Sequence, residues 1–326
     1  MFMFNRHNSL MVMVAITLFL KSATCLGQSY PSKPIKFYLP NGAGGIGDLI
    51  VRVVTQKVST ILGQQIIVEN RPSAGGVQAL SSVLQSPADG HALALIGNGS
   101  AISYSLVKNL PFNVKTDFEA VTTMARFSIV IFANQNSKFN SIKDIVDYSK
   151  KNPGLLNFGT INIGSTQYLG AELFKQLANI QEQTIPYNST ASVLSALKSG
   201  DIDVAFDFLG PVYTSIQSNN IKALAVASNQ RLNNLPNVPT AIENGLSGFE
   251  VTSWNAVFVK AGTPKSIIIK LNKAFTEAMN SPEVIQSIKN MNAEPFSLNT
   301  AETQELLFAD IKKWQLVIQN SKIPLN

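Results

Sequence analysis

The sequence predicts an α/β protein of two lobes, each a mostly parallel sheet flanked by helices. Three observations predict it. Short apolar runs of strand length alternate with stretches of helical period along most of the 326 residues. Two such series are linked by long extended apolar runs, at 120–133 and 251–259. Three junctions between a strand and the next helix are built from glycine and small hydroxyl or amide residues, the chemistry of a sheet that binds ligand at its strand ends.

The elements follow in order. Ile35–Leu39 reads as a strand. Asp48–Leu62 reads as a helix, with Ile50, Val54, Val58 and Ile61 on one face and Gly63 as its stop. Gln65–Val68 is a strand, Val77–Leu84 a helix and Ala92–Ile96 a strand, and a helix starts near Ser100. After the run at 120–133, Ser141 caps a helix that ends at Asn152-Pro153-Gly154. Strand Leu155–Phe158, helix Ser165–Ala178, strand Gln183–Ile185, helix Ala191–Lys198 and strands Ile202–Phe206 and Ile221–Ala227 complete the second series. Pro236, Pro239 and Gly245 punctuate a loop region before the return strand. The chain closes with helix Pro264–Met279, a short helix from Pro282, strand Glu294–Phe296 and a helix from Ala301 to Gln319.

Composition narrows the function. Hydrophobic residues make up 45% and charged ones 14%, a globular balance. The net charge of +6 is spread without a dense Lys/Arg run or a basic face with interleaved aromatics, so no nucleic-acid partner is expected. Residues 1–27 read as a cleaved secretory signal: Arg6, an apolar run from Leu10 to Leu20, then small residues to Gly27. The run is short for a membrane span. Cys25 lacks the aliphatic residue three places earlier that a lipoprotein signal needs, since Ser22 stands there. Cleavage would remove the one cysteine, His7 and two positive charges, leaving a periplasmic chain with no disulfide and with His91 as its one histidine. A zinc cluster is then excluded, and a Ser-His-Asp triad would have to use His91, in a turn where a solvated histidine is expected. No metal and no cofactor is expected.

The glycine junctions carry the functional reading. They are Gly42–Asp48, Gly97–Ser100 and Gly159–Thr166. In each, a strand ends, the backbone turns and a helix begins, so unpaired N–H groups and a positive dipole end meet at one spot. Together they predict a small anionic ligand. Gly42, Gly44 and Gly47 also fit G-x-G-x-x-G, with Glu69 where a ribose-binding acid would sit, which is the reading of a nicotinamide-dependent oxidoreductase. Against it stand the longer turn made by Pro40 and Asn41, the negative charge of Asp48 in the first helical turn, and the export signal.

The chain resembles the extracytoplasmic solute-binding receptors of the tripartite tricarboxylate transporter family, the Bug proteins. The segments that carry the resemblance are YPSKPIKFYLP, GGIGD, ENRPSAGG, DGHALALIGN, LNFGTINIGSTQYLGAELF, PYNST, VAFDFLG, RLNNLPNVPTAIENG, GFEVTSW and KAGTPKSIIIKLN, in that order. It implies a type II periplasmic-binding-protein fold, with lobe 1 at 28–127 and 255–326, lobe 2 at 128–254, and a hinge near Phe127 and Trp254. It implies a small carboxylate held in the cleft, membrane permease subunits as partners, a monomer and no enzymatic activity. A periplasmic ligand sensor serving a signalling partner is the alternative. The implied ligand residues are Asn41, Gly44, Gly45, Gly47 and Asp48 in the first loop, Asn98 and Ser100 in the second, Thr160, Gly164, Ser165 and Thr166 in the third, and Asp207 deeper in lobe 2. Asp48, Ser165, Thr166 and Asp207 have alternative roles as caps or structural bonds. Trp254 reads as hinge packing, Glu69-Asn70-Arg71 as support for the first loop, and Arg126 as a residue near the crossover. Asn41, Ala43, Gly47, Asn188 and Phe208 depart from the family pattern, where an aromatic, Pro, Thr, Lys and Asn are common. They leave the identity of the carboxylate open.

Overall fold

The computed structural model describes residues 30–324; the expected signal lies outside the described residues. Among the described residues ten strands form one sheet: eight lie along the path β2 (Ile66–Asn70), β1 (Ile35–Leu39), β3 (Ala92–Gly97), β9 (Thr252–Lys260), β4 (Phe118–Asn134), β7 (Val204–Phe208), β5 (Asn157–Ile161), β6 (Gln183–Tyr187), and off it β8 (Ile221–Val226) and β10 (Glu294–Pro295) pair with β4. In the first half, β1 (Ile35–Leu39) lies parallel to β2 (Ile66–Asn70) and β3 (Ala92–Gly97). In the second, β5 (Asn157–Ile161) lies parallel to β6 (Gln183–Tyr187) and β7 (Val204–Phe208). The remaining strands are antiparallel, so the sheets are mixed where mostly parallel ones were expected. The reason is the long crossing strand β4 (Phe118–Asn134), which runs antiparallel to the return strand β9 (Thr252–Lys260) up to Ser128 and antiparallel to β7 and β8 (Ile221–Val226) from Ile129 or Val130. Two strands that carry the chain out of one half and back must run in opposite directions.

Helices cover both faces. The first half contributes α1 (Ile46–Leu62), α2 (Val77–Leu84) and α3 (Asn98–Leu106). The second contributes α4 (Ile142–Lys151), α5 (Thr166–Ala178), α6 (Thr190–Ser199) and α7 (Leu209–Gln217). The C-terminal region returns with α8 (Lys265–Met279), α9 (Pro282–Asn290), the short β10 (Glu294–Pro295) and α10 (Thr300–Asn320). The sequence reading assigns no helix between Phe206 and Ile221, where α7 starts across Gly210-Pro211. Pro211 falls in the first turn, where its missing N–H has no intrahelical partner to lose and its fixed φ suits a helix.

The apolar core is continuous between the halves. One buried cluster contains Ala94 and Ile96 of β3 together with Phe158, Phe174 and Phe206 of the second half, and Trp254 and Trp314. The last helix, α10, straps across: Gln176 of α5 donates to Ser321 Oγ at 2.7 Å and to Val317 O at 3.2 Å. Trp254, fully buried, donates its indole N–H to Asp310 of α10 at 2.7 Å, which fits its expected packing role at the crossover.

Candidate functional site

Where the two halves face each other lies a cavity of about 690 Å³. The loops after three strands, β1, β3 and β5, open onto it; the first turns of α3 and α5 line it, and α1 reaches it at Gly45. Gly45 precedes α1 and Gly97 precedes α3, both as N-caps without a side-chain bond; Ser165 caps α5. The first turn of a helix has N–H groups with no intrahelical acceptor. Ile46 and Gly47 of α1, Asn98, Gly99 and Ser100 of α3, and Thr166 and Gln167 of α5 donate to no protein acceptor through their main chain among the described residues. The lining contains Asn41, Gly42, Gly45, Gly97–Ser100, Gly164–Gln167 and Asn255, and among the described residues it contains no Asp, Glu, Lys, Arg or His. Its donors are neutral, fixed and aimed by three helix dipoles, an arrangement that suits a small anion.

Glycine is required at two of these turns. A Cβ on Gly97 would lie 2.3 Å from the carbonyl oxygen of Trp254, so β3 and β9 approach as closely as they do because nothing projects there. Gly164 has φ +81°, a left-handed conformation, and a Cβ would lie 2.5 Å from Leu106 Cδ2 of α3, so it lets the two lobes meet.

The expected site residues divide into groups. Asn41, Gly45, Asn98, Ser100, Gly164, Ser165 and Thr166 line the cavity. Gly44, Gly47, Asp48, Thr160 and Asp207 lie outside the lining. Asp48, 2% exposed, sits beneath the first loop: it accepts from Gly44 N at 2.9 Å, Arg52 Nε at 3.0 Å and Asn70 Nδ2 at 2.9 Å. Burial raises its carboxyl, but Arg52, the Gly44 amide and Asn70 outweigh that and hold it below the usual carboxylate range. Its charge is turned to the loop and lies outside the cavity lining. Thr160 is fully buried in β5. Asp207, 1% exposed, accepts from Gln167 Nε2 at 2.8 Å, Thr190 Oγ1 at 2.6 Å and Phe208 N at 2.7 Å. Burial pushes its carboxyl above the usual range against those three bonds.

Two lining side chains are already committed. Ser165 Oγ accepts from Tyr168 N at 3.0 Å as the helix cap and donates its hydrogen to Ile161 O at 2.8 Å. Asn98, fully buried, accepts from Trp314 Nε1 at 2.6 Å and donates to Thr166 Oγ1 at 2.8 Å, bridging the two lobes. Asn98 therefore offers the cavity its backbone N–H more than its side chain, whereas the Ser165 N–H is also taken, by Asn162 O at 3.0 Å.

Other sequence candidates fall elsewhere. Glu69 pairs with Lys36 at 3.0 Å and Arg71 at 2.8 Å, away from the lining, and Asn70 also donates to Asn41 O at 3.1 Å, so the segment supports the first loop. Arg126 does not line this cavity; it pairs with Glu294 at 2.6 Å, covers the Phe296 ring and faces a separate cavity of about 560 Å³. His91 is not solvated as its turn implied: its side chain is 9% exposed and its ring packs edge-on to Tyr30 at 4.9 Å. Asn188 is exposed and outside the lining, and Phe208 is half-buried against Phe127.

Sequence reasoning missed Ser73, Gly75, Gly76, Gln167, Ser253 and Asn255, which also line the cavity. Ser73–Gly76 belong to the quoted ENRPSAGG segment, and Gln167 and Asn255 each adjoin a residue that was singled out. Asn255 explains Gly47: a Cβ there would lie 2.9 Å from Asn255 Nδ2 and 3.4 Å from Asn41 Nδ2. A threonine at 47 would not fit beside Asn255 in this arrangement.

Comparisons with known proteins agree with this architecture. Residues 50–323 match the family described as tripartite tricarboxylate transporter family receptor. A UPF0065 protein of Bordetella pertussis is 31% identical, over 93% of this chain and 94% of that protein. Among solved structures, R. palustris Rpa4515 with adipate is 28% identical with a TM-score of 0.76, covering 90% of this chain and 99% of that one. MatC (Rpa3494) from Rhodopseudomonas palustris with bound malate is 26% identical with a TM-score of 0.72, covering 89% of this chain and all of that one (100%).

Proposed function

This chain belongs to the tripartite tricarboxylate transporter receptor family, and from that premise we propose that it is a periplasmic receptor that captures a small carboxylate in the interlobe cavity for a membrane permease. It is a binding protein and not an enzyme. The observation that carries the ligand class is the convergence of free first-turn amides of α3 and α5, one helix from each lobe, with Gly45 at the start of α1, on a cavity that has no charged side chain among the described residues. Amide donors held by helices lose little freedom when they bind, and charge-assisted bonds to a carboxylate are stronger than neutral ones. An acidic lining would repel the ligand. The adipate and malate in the two relatives' structures support the same class.

Lobe 1 comprises 28–127 and 255–326, lobe 2 comprises 128–254, and the crossings near Phe127 and Trp254 act as the hinge. Binding selects the closed form, because only there do donors of both lobes reach one ligand. Residues 1–27 are removed on export, and the mature receptor works as a monomer. The ligand-binding set is the lining main chain of Gly45, Asn98–Ser100 and Thr166–Gln167, with Asn41 at the mouth.

A thermal-shift screen tests the class. Mono-, di- and tricarboxylates are set against neutral sugars and organic cations at equal concentration, since a ligand raises the melting temperature by mass action. At least one carboxylate is expected to stabilise the protein. Stabilisation by sugars or cations alone would reject the reading.

A further inference from the structure

Gln167 occupies the second position of α5, lines the cavity and is 3% exposed. Its Nε2 is held by Asp207 Oδ1 at 2.8 Å. That same Oδ1 accepts from Phe208 N at 2.7 Å, and Oδ2 accepts from Thr190 Oγ1 at 2.6 Å. Oδ1 thus receives two N–H donors and can act there only as an acceptor. If Gln167 turned over, its carbonyl would face that oxygen, acceptor against acceptor. The network behind the cavity therefore fixes the amide with Nε2 inward. Its Oε1 accepts from no protein donor among the described residues.

This has a consequence for selectivity. When a ligand enters and water leaves, a carbonyl oxygen left without a donor costs free energy, whereas one met by a hydroxyl or N–H does not. A second carboxylate at that place would set acceptor against acceptor, and the lining holds no Lys or Arg to neutralise it. An ammonium would find no carboxylate there either.

Building on the carboxylate reading, we infer that Gln167 Oε1 selects carboxylates that also carry a neutral hydrogen-bond donor, a hydroxyl or a primary amide, over plain fatty acids and unsubstituted dicarboxylates. Gln167 is the specificity residue, and Asp207, held by Thr190 and Phe208, is its positioning residue.

Matched probes test it by calorimetric titration: 4-hydroxybutyrate against pentanoate and succinamate against succinate, with their six-carbon counterparts for a longer cavity. Each donor-bearing member is expected to bind the wild type about tenfold or more tightly than its partner. Gln167→Met keeps the length of the side chain and removes the acceptor. It is expected to bring the members of each pair within about twofold and, because the buried Asp207 loses one of its donors, to lower the unliganded melt. Equal or tighter binding of the plain members by the wild type overturns the inference, and so does a preference that survives Gln167→Met. If the variant does not fold, the wild-type pairs decide alone. Failure of every carboxylate to bind rejects the parent reading and the inference with it, an outcome distinct from binding without discrimination.

Discussion

Ser165→Ala separates capping from ligand contact. The substitution removes two bonds at once, from Tyr168 N at 3.0 Å and to Ile161 O at 2.8 Å. Loss of an N-cap hydroxyl costs ~0.5–2 kcal/mol, typically about 1. The freed Ile161 carbonyl adds at most ~0.5–1.5 kcal/mol, and water from the adjoining cavity offsets part of that. The sum is about 1–2 kcal/mol of stability. Domains of ~150–250 residues lose ~2–4 °C of melting temperature per kcal/mol, and a larger chain loses less, so a fall of about 3 °C is expected. Because the hydroxyl hydrogen already points to Ile161, the affinity for the carboxylate that stabilises the protein most should change by less than about threefold. Calorimetric melting of the unliganded protein and titration of that carboxylate measure the two quantities side by side. Unchanged stability together with a tenfold loss of affinity would show that the hydroxyl serves the ligand, and would refute the committed-cap reasoning.

Four further substitutions probe the frame around the cavity. Gly97→Ala places a Cβ 2.3 Å from a main-chain oxygen, while Gly159→Ala meets the movable Cδ1 of Ile202 at 2.1 Å. The first should cost about 2–3 kcal/mol in urea unfolding and the second less, because a carbonyl in a strand pair cannot step aside; equal costs would contradict the strand contact. Asp48, with its folded-state carboxyl below the usual range, contributes stability that is present above its unfolded value of about 4 and lost as pH falls through the folded value. The stability gap between wild type and Asp48→Asn should therefore be full at neutral pH and shrink below about pH 4; a gap independent of pH would remove the Asp48 charge from the account. Asn98→Ala strands the buried Trp314 N–H and unties Thr166, and should cost ~1–3 kcal/mol while increasing the radius of gyration of the unliganded protein in solution scattering. No change in either quantity would mean that the bridge does not hold the lobes together.

Most of the element order was legible because hydrophobic period is local. The apolar face at Ile50, Val54 and Val58 identifies α1 from a few residues, and the four glycines among residues 42–47 mark the turn before it. Sheet direction was less legible. That β4 and β9 run antiparallel follows from the chain crossing twice between lobes, which no single segment reveals. The site divided along the same line. Loops rich in glycine announce free amides, and those loops do line the cavity. What a polar side chain does there depends on partners far away in sequence: Asn98 meets Thr166 across 68 residues and Trp314 across 216. The resemblance implied Asp48 and Asp207 as ligand residues, and in the structure each carboxylate lies outside the cavity lining and accepts from protein donors. Gln167 carries no local signal at all, since its orientation is set by a carboxylate 40 positions away.

The most direct measurement is a crystal structure with the carboxylate that stabilises the protein most. The account predicts carboxylate oxygens at about 2.7–3.2 Å from first-turn amides of at least two helices, one in each lobe, with no charged side chain in contact. A carboxylate bound outside the interlobe cavity, or held there by a lysine or arginine, would contradict it.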